Sequence, residues 1–272
     1  MEEVIHKFFD SKNLIVGNTA QLSYFFSNEN NDFISSRNID FNDIRAKKYK
    51  KIFLLFAEQR TFLNEGNDFF IDVNVNYTLE VIDKLKDYCD RIIIYSTSEL
   101  WNKCDGGVSI DTPYDYFETP YIKSKEILCN KINQNKKKYK NVIIVYPFNF
   151  NSPYRKDGFL FKKIFNSLIH GEKITVGNID FKRDLIHPRI IVDLSSNADE
   201  DIIIGSGELY NVGEFIRDLF IKLGRKMEDY VTYDSSNSLL NKRNHYYSCN
   251  KSSNYEELVN LTIKDIYEYK FS

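Results

Sequence analysis

Apolar residues along this chain fall into short unbroken runs separated by stretches of helical periodicity. Asn13-Leu-Ile-Val-Gly17, Lys51-Ile-Phe-Leu-Leu-Phe56, Ile92-Ile-Ile-Tyr95 and Asn141-Val-Ile-Ile-Val-Tyr-Pro147 are too continuously apolar for a sheet with one face in water. They read as strands buried on both faces. Asp32-Phe-Ile-Ser-Ser36 is a shorter strand. The spacing between these runs predicts helices over 19–26, 73–88 and 120–133, and a short amphipathic helix over 2–12 ahead of the first strand. Strands alternating with helices imply right-handed crossovers and an α/β fold built on a doubly wound parallel sheet. After Pro153 the pattern loosens. A helix over 159–170, a strand Lys173-Ile-Thr-Val176, a Gly205-Ser-Gly207 turn and helices over 212–223 and 255–269 predict a small C-terminal α/β lobe. The expected division is 1–153 for the sheet domain and 154–272 for the lobe, with elements able to interleave. In such sheets ligands bind at the carboxyl ends of the strands, where the winding changes direction.

Composition narrows the classes. The 272 residues, 42% hydrophobic and 28% charged, describe a folded chain able to bury a sizeable core. A net charge of −2 offers no electrostatic reason to expect nucleic acid or an anionic membrane as partner. The basic run Lys136-Lys-Lys-Tyr-Lys140 reads as a solvated loop. No run approaches the roughly 20 apolar residues that span a bilayer, and the N-terminus carries no signal-peptide pattern, so a cytoplasmic protein is expected. The four cysteines show neither CxxC pairing nor histidines at zinc spacing; reduced thiols and no metal site are expected.

Four stretches carry chemistry. Gly17-Asn-Thr-Ala20-Gln-Leu-Ser23 has the spacing of G-x-x-G-x-x-G directly after the first strand, with Ala20 and Ser23 in place of the later glycines. Small residues there permit close backbone approach, and a helix start favours a pyrophosphate. Ser35-Ser-Arg37 follows the second strand, where a dinucleotide's adenosine ribose would lie. A basic residue suits a 2′-phosphate, so Arg37 tilts the cofactor from NAD toward NADP, with Asp40 and Phe41 near the adenine. The strand ending at Tyr95 runs into Ser96-Thr-Ser-Glu-Leu-Trp101, and Tyr121-Ile-Lys-Ser-Lys125 follows at a helix start marked by Thr119-Pro120. Tyr121 and Lys125 share one helix face. A free phenol titrates near 10, and an adjacent ammonium favours its phenolate. Thr97 would hydrogen-bond a substrate oxygen. Glu99 discriminates, because hydride transfer alone needs no carboxylate there, whereas removal of a proton alpha to a transient ketone does.

With these residues in view, the chain resembles an extended short-chain dehydrogenase/reductase of the group that modifies nucleotide sugars. Tyr95-Ser-Thr-Ser-Glu-Leu-Trp101 resembles the strand-end signature of the GDP-mannose 4,6-dehydratases. The likeness continues collinearly in Ala57-Glu-Gln59, Asn74-Val-Asn-Tyr-Thr-Leu79, Pro147-Phe-Asn149, Asn151-Ser-Pro153, Gly177-Asn-Ile-Asp-Phe-Lys-Arg-Asp184 with His187, and Gly205-Ser-Gly-Glu-Leu-Tyr-Asn-Val-Gly-Glu-Phe215. The resemblance implies a Rossmann-type dinucleotide-binding domain and a nucleotide-sugar-binding lobe. It implies catalytic Thr97, Tyr121 and Lys125, with Glu99 the base at sugar C5. Gly17, Thr19, Ala20, Gln21, Leu22, Arg37, Asp40, Phe41, Phe56, Ala57, Tyr121 and Lys125 would line the NADP or NAD site. Ser98, Asn149, Arg183 and Arg243 would contact a nucleotide-diphosphate sugar. Homodimerisation, or a higher homo-oligomer, would use the helices over 73–88 and 120–133.

Departures accompany the likeness. Two loop glycines are replaced, Arg60 follows Gln59, Trp101-Asn102 stands where an aromatic–glycine pair is usual, and the segment from Arg243 to Tyr255 is compressed. The implied reaction is 4,6-dehydration through a transient 4-keto sugar. A 4-keto-6-deoxysugar reductase or an epimerase would use the same scaffold without C5 proton abstraction, and a uronic-acid decarboxylase also uses a Thr-Ser-Glu turn. A binding protein without turnover is the reading from a different class. His187 reads as a packing residue.

Overall fold

The computed structural model of the protein describes residues 12–63, 65–234 and 245–271. The helix expected over 2–12 and the Arg243 position lie outside the described residues, save Lys12. In chain order the elements run β1 (Asn13–Val16), β2 (Asn31–Ile34), α1 (Phe41–Lys47), β3 (Tyr49–Leu54), α2 (Asn67–Ile71), a π-helical stretch Asp72–Tyr77, α3 (Thr78–Leu85) and β4 (Cys89–Tyr95). Then come β5 (Gly106–Val108), α4 (Pro120–Gln134), β6 (Val142–Pro147), β7 (Asn149–Phe150), α5 (Leu160–His170), β8 (Ile174–Val176), β9 (Lys182–Arg183) and β10 (Leu185–Ile186). The chain continues through α6 (Pro188–Asn197), β11 (Ile202–Ile204), β12 (Tyr210–Asn211), α7 (Val212–Lys222), β13 (Val231–Tyr233), β14 (Tyr246–Ser248) and α8 (Tyr255–Phe271).

Six strands form one sheet in the order β11-β6-β4-β3-β1-β2, with β1 parallel to both β2 and β3, β3 to β4, and β6 to β11. Leu14, Ile15, Ile52, Phe53, Ile92 and Ile93 have no exposed surface, as strands covered on both faces require. The chain leaves β1 toward β2 on one side and returns to β3 on the other. The direction of winding therefore changes between β1 and β3, and Leu55 N donates to Val16 O at 2.9 Å just beyond their carboxyl ends. The fold is a doubly wound, Rossmann-type α/β sheet.

Several elements differ from the pattern read along the sequence. The helix expected over 19–26 is a five-residue 3-10 turn, Gln21–Phe25, with no side-chain cap at Ala20. Its Ser23 hydroxyl sits 2.6 Å from Ala20 O and 2.9 Å from Asn18 O, bonding backward to the turn in competition with a longer helix. Asp40 starts the unforeseen α1 by accepting from Asn42 N and Asp43 N. The helix expected from residue 73 begins at Asn67, behind Gly66, and passes through the π-helical stretch. Unforeseen α6 and β11 supply a further helix and an edge strand of the sheet.

The chain divides into two compact units, one running to Ser96 and resuming over Glu118–Ile144, the other comprising Thr97–Phe117 and the chain from Val145 onward. In the second unit α5, α7 and α8 bury Phe161, Phe165, Phe215, Leu219, Phe220, Val259 and Ile266 in one core. His187 is buried there. Its Nδ1 accepts from Arg189 N at 3.2 Å, capping α6. The ring proton therefore lies on Nε2, 2.9 Å from Asp265 Oδ2.

Candidate active site

In the first unit the candidate residues follow the carboxyl ends of β1, β2 and β3 or stand on α1 and α4. Gly17 has φ +107°, a backbone that other residues rarely adopt, and a Cβ built there would lie 3.3 Å from Phe56 N, so a side chain would be both strained and crowded. Gly17 N and Asn18 N both donate to Ile34 O, and Ala20 N to Gly17 O. Thr19 is exposed, Gln21 half-buried, and Leu22 belongs to the core. Arg37 is exposed after β2, with its N–H bonded to Ser35 Oγ. Asp40 is taken up by the α1 cap, and the Phe41 ring lies under Lys84 Nζ at 4.4 Å. Phe56 packs on Tyr77 with ring centroids 5.3 Å apart, while Ala57 is exposed.

Thr119 starts α4 by accepting from Ile122 N, with Pro120 in the first turn. That fixes Tyr121 and Lys125 one turn apart, the ammonium 5.9 Å from the phenol ring centroid. Lys125 is 4% exposed and donates to Tyr95 O at 2.7 Å. Desolvation by burial pulls its pKa from the ordinary 10.5 down to about 8. One carbonyl occupies one of three ammonium protons, so the group retains donor capacity at the end of β4. Asn74, on the π-helical stretch, anchors this region. It accepts from Glu58 N (2.7 Å) and donates to Glu58 O (2.9 Å) and to Ser124 Oγ (2.9 Å) beside Lys125. Arg60 grips the Glu58 carboxylate with Nε and a terminal nitrogen, which holds that carboxyl below the usual range.

In the second unit Thr97 Oγ1 accepts from Glu99 N at 3.2 Å, capping the 3-10 turn Ser98–Trp101. A hydroxyl that accepts keeps its own proton to donate. Ser98 is buried, and Glu99 is half-buried. Trp101 locks the turn, its Nε1 donating to Thr112 O at 2.8 Å and its ring meeting Tyr114 and Tyr146 edge-on. Asn149 donates to Asp184 O at 3.4 Å. Arg183 is buried, its guanidinium 4.7 Å above the Phe181 ring. Asp184, which the sequence reading left without a role, accepts from Ser206 N, Ser206 Oγ, Gly207 N and Ser248 N. Those four donors hold two separated segments to one buried carboxylate.

The profile of the GDP-mannose 4,6 dehydratase family matches residues 65–265. The chain belongs to this family. The human GDP-mannose 4,6 dehydratase is 26% identical over 235 residues, 76% of this chain and 63% of that protein. The Drosophila melanogaster protein of the same name is 26% identical over 212 residues, 68% of this chain and 51% of its own. This member thus spans less than two thirds of the length of the curated relatives it matches. Two solved structures share its fold at low identity. The dTDP-glucose 4,6-dehydratase from Bacillus anthracis, in complex with NAD, is 16% identical with TM-score 0.71, covering 95% of this chain and 97% of that one. RMD from Pseudomonas aeruginosa, complexed with NADPH, is 13% identical with TM-score 0.74, covering 96% and 100%.

Proposed function

We propose that the chain, with a nicotinamide dinucleotide bound, removes water from a nucleotide-diphosphate hexose by 4,6-dehydration. The observation that carries the reading is the buried Lys125 ammonium one turn from Tyr121, in a family member that also keeps Glu99 on the Thr97-capped turn. The cofactor site has support of two kinds. Gly17 offers the close approach of backbone to ligand, and Lys125 offers buried donors for ribose hydroxyls. The five-residue turn after Gly17 gives a pyrophosphate less dipole than a long helix would, so Arg37 carries more of the affinity and favours NADP. When bound, the nicotinamide supplies a hydride acceptor for C4 that returns the hydride to C6.

The protein's own residues move the protons. Tyr121 takes the C4 hydroxyl proton, with Lys125 stabilising the phenolate and Thr97 holding the C4 oxygen. The C4 carbonyl acidifies the C5 proton, which Glu99 removes. That proton leaves with the C6 hydroxyl as water; as the hydride reaches C6, C5 takes up a proton from solvent through Glu99, and the proton held by Tyr121 returns to solvent. Asn149 and Arg183 hold the nucleotide diphosphate, and Ser98 and Arg243 contact the nucleotide-diphosphate sugar. On the same reading the protein works in the cytoplasm as a homodimer or higher homo-oligomer that pairs through the helices over 73–88 and 120–133. Among the described residues no helix is long and apolar enough to cross a membrane. Purified protein with GDP-mannose and NADP tests the reading by product mass. Loss of one water supports it. No change with GDP-mannose, but oxidation of NADPH by a 4-keto-6-deoxy nucleotide sugar, replaces it with the reductase.

A further inference from the structure

The 3-10 turn that carries Glu99 also carries a side chain aimed at it. In a 3-10 helix residues i and i+3 eclipse, which sets Asn102 over Glu99. Asn102 is 2% exposed, and its Nδ2 donates to Glu99 Oε2 at 3.2 Å. Its Oδ1 accepts from Phe117 N at 2.7 Å. That second bond fixes the amide's orientation, since a flipped amide would set donor against donor at Phe117 N and acceptor against acceptor at Glu99. The other carboxylate oxygen, Oε1, lies 3.4 Å from the Tyr246 hydroxyl. Tyr246 is buried, packs against Phe148 and stands opposite Gly106 where β14 zips onto β5. A donor on each oxygen holds a flexible carboxylate in one rotamer.

Resting on the reading of Glu99 as the C5 base, we propose that Asn102 and Tyr246 are positioning residues for that carboxylate. The C-terminal segment around β14 thereby completes the proton-transfer apparatus. Asn102→Asp is the informative variant: it keeps the acceptor for Phe117 N and so the loop, but turns an oxygen toward Glu99. With GDP-mannose, kcat is expected to fall about tenfold to hundredfold, the range for losing a hydrogen bond to a charged group, with KM unchanged. The isotope effect from C5-deuterated substrate rises, because only the C5 step slows. Tyr246→Phe keeps the ring packing and shows the same pattern to a smaller extent. Wild-type kcat and isotope effect in both single variants, with dehydration intact, overturn the positioning role alone. A folded wild-type protein that removes no water from GDP-mannose overturns the dehydratase reading and the role with it.

Discussion

Replacing Lys125 by methionine separates what the residue costs the fold from what it supplies to the site. Burial holds the folded pKa at about 8 against an ordinary 10.5, so the unfolded chain binds more protons than the folded one between those values. Stability therefore rises with pH through that window, and the full cost of the buried charge is present below it. At 1.36 kcal/mol per pKa unit the cost is about 3 kcal/mol near neutral pH. Methionine removes that cost but strips the donor from Tyr95 O, which returns about 1–3 kcal/mol. The net change at pH 7 is thus about 0–2 kcal/mol in favour of the variant. The pH dependence is cleaner than the absolute value. Between pH 7 and about 9.5, the stability of Lys125→Met relative to wild type should fall by about 2 kcal/mol. Urea unfolding of both proteins at the two pH values measures it, with turnover abolished in the variant throughout. A stability difference that does not change with pH would refute the claim of a buried, cationic Lys125.

Three further outcomes are expected. Tyr121→Phe should lower kcat by about 10²–10⁴, the range for a general acid–base group, with KM retained, in steady-state assays of water loss. Asn74→Ala should destabilise the protein by about 1–3 kcal/mol, because it removes the partner of the half-buried Glu58 N–H and of the buried Ser124 hydroxyl; urea midpoints report it. Gly17→Ala should cost about 1–2 kcal/mol of stability through its left-handed backbone and contact with Phe56 N, and should weaken NADPH binding in a fluorescence titration.

The central strands were legible because they are buried on both faces: Ile52-Phe53-Leu54 and Ile92-Ile93-Ile94 announce themselves by continuous apolar runs, whereas the edge strand β11 is only three residues long. The start of α4 was legible because Thr119 and Pro120 are a cap and a first-turn proline. The short turn after β1 was not, since the backward bonds of Ser23 to Ala20 and Asn18 carbonyls leave no periodic trace. Asp40 was read toward an adenine, while its local role is the α1 cap; an Asp before Asn42-Asp43 carried that signal. His187-Pro188 likewise marked the start of α6. Asn102 stands at i+3 from Glu99 and was within reach of a spacing argument. Tyr246 and the Asp184 hub were not, because contacts across such separations depend on how distant segments pack.

The central claim is that a Glu99-dependent proton transfer at C5 accompanies loss of water from the sugar. Its most direct test runs the reaction with GDP-mannose and NADP in heavy water and reads product mass and label position. The account predicts a product lighter by one water and carrying one deuterium at C5, with none formed by Glu99→Gln. Water loss that persists at the wild-type rate in Glu99→Gln, or a product without label at C5, would contradict it.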